Sequence, residues 1–205
     1  MVRKLTYILL LLVIVKVISV QKKEKSPPSF DMDLIYSVLE NGDIICRRGN
    51  RYWSDIIADF SVNDKRFSHV GIIRIVDGVV AVIHSEGSSN HKYSHVKEQT
   101  LEIFLENATS VGIYRSDYAK GDQVTDIAVQ YIGVPFDWDF DLYDHTKIYC
   151  TELIYIILNQ IESSIKLKII HDNEHSKDFI PLEAFSDSKY FYEVLFFCNS
   201  TEVIF

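Results

Sequence analysis

Residues 68–85 constrain this chain most. Ser68–Val76 and Val79–Ser85 are two runs rich in Val and Ile, separated only by Asp77-Gly78. That dipeptide between β-rich runs is the strongest short-range signal for a hairpin, because a two-residue turn needs left-handed backbone that Asp and Gly tolerate. Such a turn sets Val76 against Val79 and, counting outward, His69 opposite Glu86. Side chains alternate along a strand, so His84 shares a face with Glu86 and lies diagonal to His69. Two imidazoles and a carboxylate are thereby gathered at the open end of one hairpin. Solvated polar residues on an outer face are the competing reading.

Around the hairpin the pattern alternates between strands and helices. Phe30–Glu40 has helical spacing and stops at Asn41-Gly42, Asp43–Arg47 reads as a strand, and Tyr52–Phe60 reads as a short helix. Gly87–Tyr93 is a polar loop, Val96–Phe104 a strand or short helix, and Val111–Arg115 a strand. Gly121–Ile132 is amphipathic and ends at Gly133-Val134-Pro135. Cys150–Ile161 is apolar nearly all round and reads as a buried helix. Asp172–Lys177 reads as a polar loop, and Tyr192–Phe197 as a closing strand. The order predicts an α+β fold, a mainly antiparallel sheet packed against helices, with a histidine in the sheet and a cysteine at a helix N-terminus.

The beginning of the chain has the marks of an export signal. Arg3 and Lys4 precede the apolar run Leu5–Val15, and Val17-Ile18-Ser19 fits a cleavage site. Residues 1–20 are therefore expected to be a secretory signal peptide, or an anchor (residues 4–20) if uncleaved. Residues 21–29, Lys- and Pro-containing, form a spacer, and residues 30–205 form one domain. The expected location is bacterial periplasm or extracellular space. The formal charge is -8, and losing Arg3, Lys4 and Lys16 takes it near -11. With no basic stripe, nucleic acid is not an expected partner, and a membrane is one only if the leader is retained. An odd number of cysteines (Cys46, Cys150, Cys198) in an exported chain implies at least one free thiol. Cys46 and Cys198 either pair with each other or are separate core residues.

Cys150 stands where its helix begins, and a thiol there is easier to ionise because free backbone N–H groups and the dipole favour negative charge. A histidine beside it would act as its base. The competing reading is a cysteine that only packs. Thr151 and Glu152 are residues suited to a first helical turn. The amides near Tyr149 and Cys150 could hold an oxyanion, which makes Tyr149 and Glu152 candidates for contact with substrate. Asp137, Asp139, Asp141 and Asp144 crowd one loop but lack the glycine and terminal glutamate of an EF-hand. His91, His95, His145, His171 and His175 have no zinc-site spacing with cysteines. No cofactor or metal is expected.

Five segments in order carry a resemblance: Gly42-Asp43-Ile44-Ile45, Phe67-Ser68-His69-Val70-Gly71-Ile72, Val82-Ile83-His84-Ser85, Tyr131-Ile132-Gly133-Val134-Pro135-Phe136-Asp137 and Tyr149-Cys150-Thr151-Glu152-Leu153. Over roughly residues 40–197 the chain resembles the permuted papain-like amidases of the YiiX type, relatives of NlpC-type cell-wall hydrolases. The resemblance implies a circularly permuted papain-like fold in which the histidine strand precedes the cysteine helix. It implies Cys150 as nucleophile, His69 as general base, and a third triad member on the next strand. The YiiX type leads one to expect an acid there; this chain has His84, with Glu86 two residues on as the substitute candidate. Histidine fills that place in related families. The segment at Pro181-Leu182 is similar to a loop that closes on the family's site. The expected function is an exported cysteine amidase or peptidase acting on a peptide or other amide substrate, the stem peptides of peptidoglycan being one class. A lipid-directed acyl hydrolase or acyltransferase on the same fold, and a non-catalytic binding module, are the alternatives.

Overall fold

A computed structural model describes residues 30–173, 176–186 and 188–198. The expected leader and spacer (residues 1–29) and His175 lie outside these residues. The helices are α1 (Met32–Val38), α2 (Tyr52–Asp59), α3 (Leu101–Leu105), α4 (Gly121–Ala128), α5 (Cys150–Ile161) and α6 (Glu183–Ser186). The strands are β1 (Ile44–Gly49), β2 (His69–Val76), β3 (Val79–Glu86), β4 (His95–Thr100), β5 (Ala108–Arg115), β6 (Ile170–Asp172), β7 (Lys177–Phe179) and β8 (Tyr192–Cys198).

Six strands form one antiparallel sheet in the order β4-β3-β2-β1-β5-β8. Val76 pairs with Val79, and Asp77 and Gly78 both have positive φ (52° and 78°), so the two-residue turn is the left-handed one its sequence requires. Each face of the sheet carries its own core. Ile44, Cys46, Val70, Ile72 and Ile83 pack against α5, where Leu153, Ile154 and Ile157 are fully buried. Ile45, Ile73, Val82 and Ile113 pack on the other face against Ile35 of α1 and Leu101 and Phe104 of α3. Burying apolar side chains on both faces makes β1 and β2 the centre of the molecule.

Three local readings are refined. Val96–Phe104 is both of its alternatives in succession, because Thr100 closes β4 and its hydroxyl accepts the Ile103 N–H that starts α3. The amphipathic run from Gly121 leaves α-helix at Ala128 and finishes as a 3-10 turn over Val129–Tyr131. Asp172 and Lys177, the two ends of the run read as loop, pair with each other as members of β6 and β7. Cys46 and Cys198 are not bonded to each other: they lie on β1 and β8, which flank β5, and Cys46 is buried while Cys198 is exposed. Among the described residues no helix is long and apolar enough to cross a membrane.

Candidate active site

The β2–β3 ladder runs from Val76↔Val79 to Ile72↔Ile83 and stops there. Beyond that point the open end of the hairpin holds the two histidines. His69 Nε2 and His84 Nδ1 are 2.7 Å apart, with the rings nearly perpendicular. The Phe104 ring packs against both, at 5.7 Å from His69 and 5.1 Å from His84. His84 is fully buried. Gly71 makes this possible: a Cβ there would stand 2.5 Å from Val82 Cγ1 and 3.1 Å from His84 Cβ.

Low-dielectric surroundings disfavour imidazolium. Burial first, and then the Arg47 charge, hold His69 well below the usual histidine range. Burial likewise takes His84 down to about 3, with Glu86 opposing and Arg47 and Lys97 reinforcing the shift. Both rings are therefore neutral at physiological pH.

Cys150 opens α5, the helix packed against β2 and β3. Its approach is fixed by backbone: the Ile148 N–H donates to the Pro135 carbonyl at 2.9 Å, and the Ser85 hydroxyl donates to the Ile148 carbonyl at 2.5 Å. The thiol meets the sheet at the backbone of Val70, one residue after His69, where the ladder has ended. The N–H groups of Thr151, Val70 and Cys150 itself favour its thiolate. Burial outweighs them and pushes the thiol up to about 11. The expectation of an easily ionised cysteine is thus corrected: with only 8% of the residue exposed, loss of hydration costs the anion more than the helix terminus returns.

Tyr149 and Glu152, expected to contact substrate, are 2% and 0% exposed. The fold uses them internally instead. Glu152 Oε2 accepts the Tyr149 N–H at 3.2 Å and its Oε1 meets His145 Nδ1 at 2.9 Å, while Tyr149 Oη accepts the Ile180 N–H. They brace the turn that presents Cys150. Burial raises the Glu152 carboxyl to about 7, against the pull of His145. Thr151 Oγ1 donates to the Ile180 carbonyl at 2.7 Å, which brings the Pro181-Leu182 segment against the start of α5. In the loop before the cysteine, Asp137 is buried and accepts the N–H groups of Asp139 and Asp141. Its carboxylate shapes that loop.

Glu86 stands between two cations, with Arg47 Nη2 at 3.0 Å and Lys97 Nζ at 2.7 Å. It is His84, not Glu86, that meets His69. Arg47 is the site residue that sequence reasoning missed. It sits directly across from His69 in the β1–β2 register, and its guanidinium lies over Phe104 at 5.1 Å. The available signal was a pair of arginines (Arg47-Arg48) continuing an apolar strand whose register places one of them inward.

Ligand atoms of His69, His84 and Glu86 lie within 4.8 Å of one another, a grouping that could attract a metal ion. The arrangement is that of a hydrogen-bonded pair beside an ion triad. A separation of 2.7 Å is shorter than the roughly 3.3 Å expected for two nitrogens each about 2.0 Å from one tetrahedral ion, and Glu86 already faces two cations. As arranged, these residues do not fit a metal.

A family model described as permuted papain-like amidase enzyme, YaeF/YiiX, C92 family, matches residues 38–194. The chain belongs to this family. It is accordingly an amidase-type hydrolase on the permuted papain-like fold, with Cys150 at a helix N-terminus. Among solved structures it is similar to the metalloprotein yiiX from Escherichia coli O157:H7, with TM-score 0.63 and 15% identity, covering 77% of this chain and 97% of that one. None of the curated proteins compared with it matches by sequence.

Proposed function

We propose that this family member is an exported cysteine amidase or peptidase using Cys150 as nucleophile, His69 as general base and His84 as third triad member. The observation that carries the reading is the 2.7 Å contact between His69 Nε2 and His84 Nδ1, made beside the strand residue whose N–H meets the Cys150 thiol. With His84 accepting at Nδ1, His69 carries its proton on Nε2 and keeps a lone pair on Nδ1 for the thiol. Cys150 and His69 both rest neutral, so the proton moves as the sulfur attacks rather than beforehand. The S–C bond forms, the carbonyl electrons pass to oxygen, and N–H groups at the start of α5 hold the oxyanion. His69 returns its proton to the leaving amine, and water, deprotonated by His69, then releases the acid and the thiol.

The expected substrate is an amide in a peptide of the cell-wall type; an acyl group on a lipid is the alternative, and entry of another alcohol or amine in place of water would give acyl transfer. Export rests on the leader-like residues 1–20. The name metalloprotein belongs to the structural neighbour, and the fit above argues against carrying it over. The test is labelling by iodoacetamide, read at the Cys150 peptide by mass spectrometry. Labelling at pH 8 slowed by His69→Ala and, less, by His84→Ala supports the triad. A rate indifferent to His69 makes Cys150 structural.

A further inference from the structure

A buried arginine is costly, and Arg47 is buried in an unusual way. Its side chain is 15% exposed. Its one carboxylate partner, Glu86, is shared with Lys97, and its Nε is buried with no hydrogen-bond partner. The flat face rests on Phe104, the same ring that packs against His69 and His84. A charge pair kept for stability has its donors filled, because an unpaired buried donor forfeits the gain. Here one donor is left open next to two neutral histidines.

The charges around this point do not balance. Facing it are His69 on β2, His84 and Glu86 on β3, Lys97 on β4, Arg51 just after β1 and Cys150 on α5. With both histidines and the Cys150 thiol neutral, Arg47 and Lys97 outnumber Glu86 even before the exposed Arg51 is counted. The local deficit is one negative charge, and the group able to supply it during the proposed reaction is the sulfur of Cys150. Arg47 and Cys150 are within electrostatic reach of each other and favour each other's charged forms.

We infer that Arg47, directly across from His69, is a positioning residue: its guanidinium, held by Glu86 and by the Phe104 ring, is the standing counter-charge for the Cys150 thiolate. This rests on reading Cys150 as the nucleophile. Glu86 then tempers the cation instead of orienting the histidine, so removing Glu86 and removing Arg47 act in opposite directions.

The test follows iodoacetamide labelling of the Cys150 peptide from pH 6 to 10 in the full mature chain, for wild type, Arg47→Gln, Arg47→Lys, Glu86→Gln and Lys97→Gln, with folding checked by circular dichroism. Arg47→Gln should slow labelling at pH 8 about tenfold, the equivalent of one pKa unit. Glu86→Gln should accelerate it, Arg47→Lys should restore most of the wild-type rate, and Lys97→Gln, one strand further from β2, should slow it less than Arg47→Gln. If Arg47→Gln does not fold, Glu86→Gln and Arg47→Lys still decide the sign. Equal rates for Arg47→Gln and wild type, slower labelling in Glu86→Gln, or an effect of Lys97→Gln as large as that of Arg47→Gln would overturn the inference. His69→Ala, run alongside, tests the nucleophile reading separately: dependence on His69 without dependence on Arg47 refutes only the counter-charge.

Discussion

Each end of β1 carries an arginine–carboxylate pair, and the two pairs are built differently. Just before the strand, Asp43 is 1% exposed and takes Arg115 on both oxygens, at 2.7 Å from Nε and 2.8 Å from Nη2. Arg115 also donates to the Val38 carbonyl and to Glu40, and Asp43 also accepts the Glu40 N–H. Every guanidinium nitrogen has an acceptor. Toward the other end, Arg47 shares Glu86 with Lys97 and leaves Nε open beside the histidines. A closed network joins α1, β1 and β5; an open one keeps a field available for charge that appears only in a reaction. Satisfied donors mark the structural pair and unsatisfied donors the functional one.

Substitutions at the two ends should therefore fail in different currencies. The largest effect belongs to the open end. Turnover of an activated ester such as p-nitrophenyl acetate should fall about a thousandfold in His69→Ala, as loss of a general base does, with little change in melting temperature. Turnover near wild type would remove His69 from the mechanism. At the closed end, Asp43→Ala leaves Arg115 with only Glu40 and the Val38 carbonyl and should cost roughly 1–3 kcal/mol of stability, measured by urea unfolding. Cys150 labelling in the molecules that remain folded should be unchanged. Slowed labelling in Asp43→Ala would mean that the two ends of β1 are coupled and the contrast is false.

Acid separates them as well. Unfolded His84 titrates near 6.5 but its folded value is about 3, so between these pH values the unfolded chain takes up a proton that the folded chain refuses. The stability carried by neutral His84 is complete above pH 6.5 and is lost as pH falls, by up to about 4 kcal/mol near pH 3. His69, also pushed down by burial, acts in the same window and direction. His84→Asn should flatten the fall of unfolding free energy between pH 6.5 and 4 relative to wild type. A slope identical in the two proteins would place the acid sensitivity elsewhere.

How much of this was legible depended on sequence distance. The hairpin and its Asp77-Gly78 turn could be read because turn chemistry is local, and the alternation rule then brought His69 and His84 to one face. The Cys150 helix was legible from its run of apolar residues, and its likeness to the family came from ordered short segments. Arg47 was not legible: only the β1–β2 register, set across a helix and a loop, places it against His69. Glu152 and Tyr149 were misjudged because a helix N-terminus seen in sequence is open to ligand, while in the fold Ile180 and His145 occupy that space. The state of the Cys150 thiol turned on burial, which no spacing of residues reports.

Gly71 offers the finest cut between packing and chemistry. It stands across the hairpin from His84, on the same face as His69, and has ordinary strand backbone, so an added methyl meets only neighbours. Val82 Cγ1 at 2.5 Å and the Ile83 carbonyl and His84 Cβ at 3.1 Å leave no room for it. Gly71→Ala must push Val82 or move the His84 side of the hairpin, a cost of about 1–3 kcal/mol typical of overpacking. If His84 orients His69, the displacement also disturbs the 2.7 Å contact, and ester turnover should fall more than stability alone explains. The double variant Gly71→Ala, Val82→Ala relieves the nearest clash. Its stability should recover in part, and its turnover should follow only if His84 regains its place, so recovery of both with His84→Ala itself fully active would show that the second histidine serves packing.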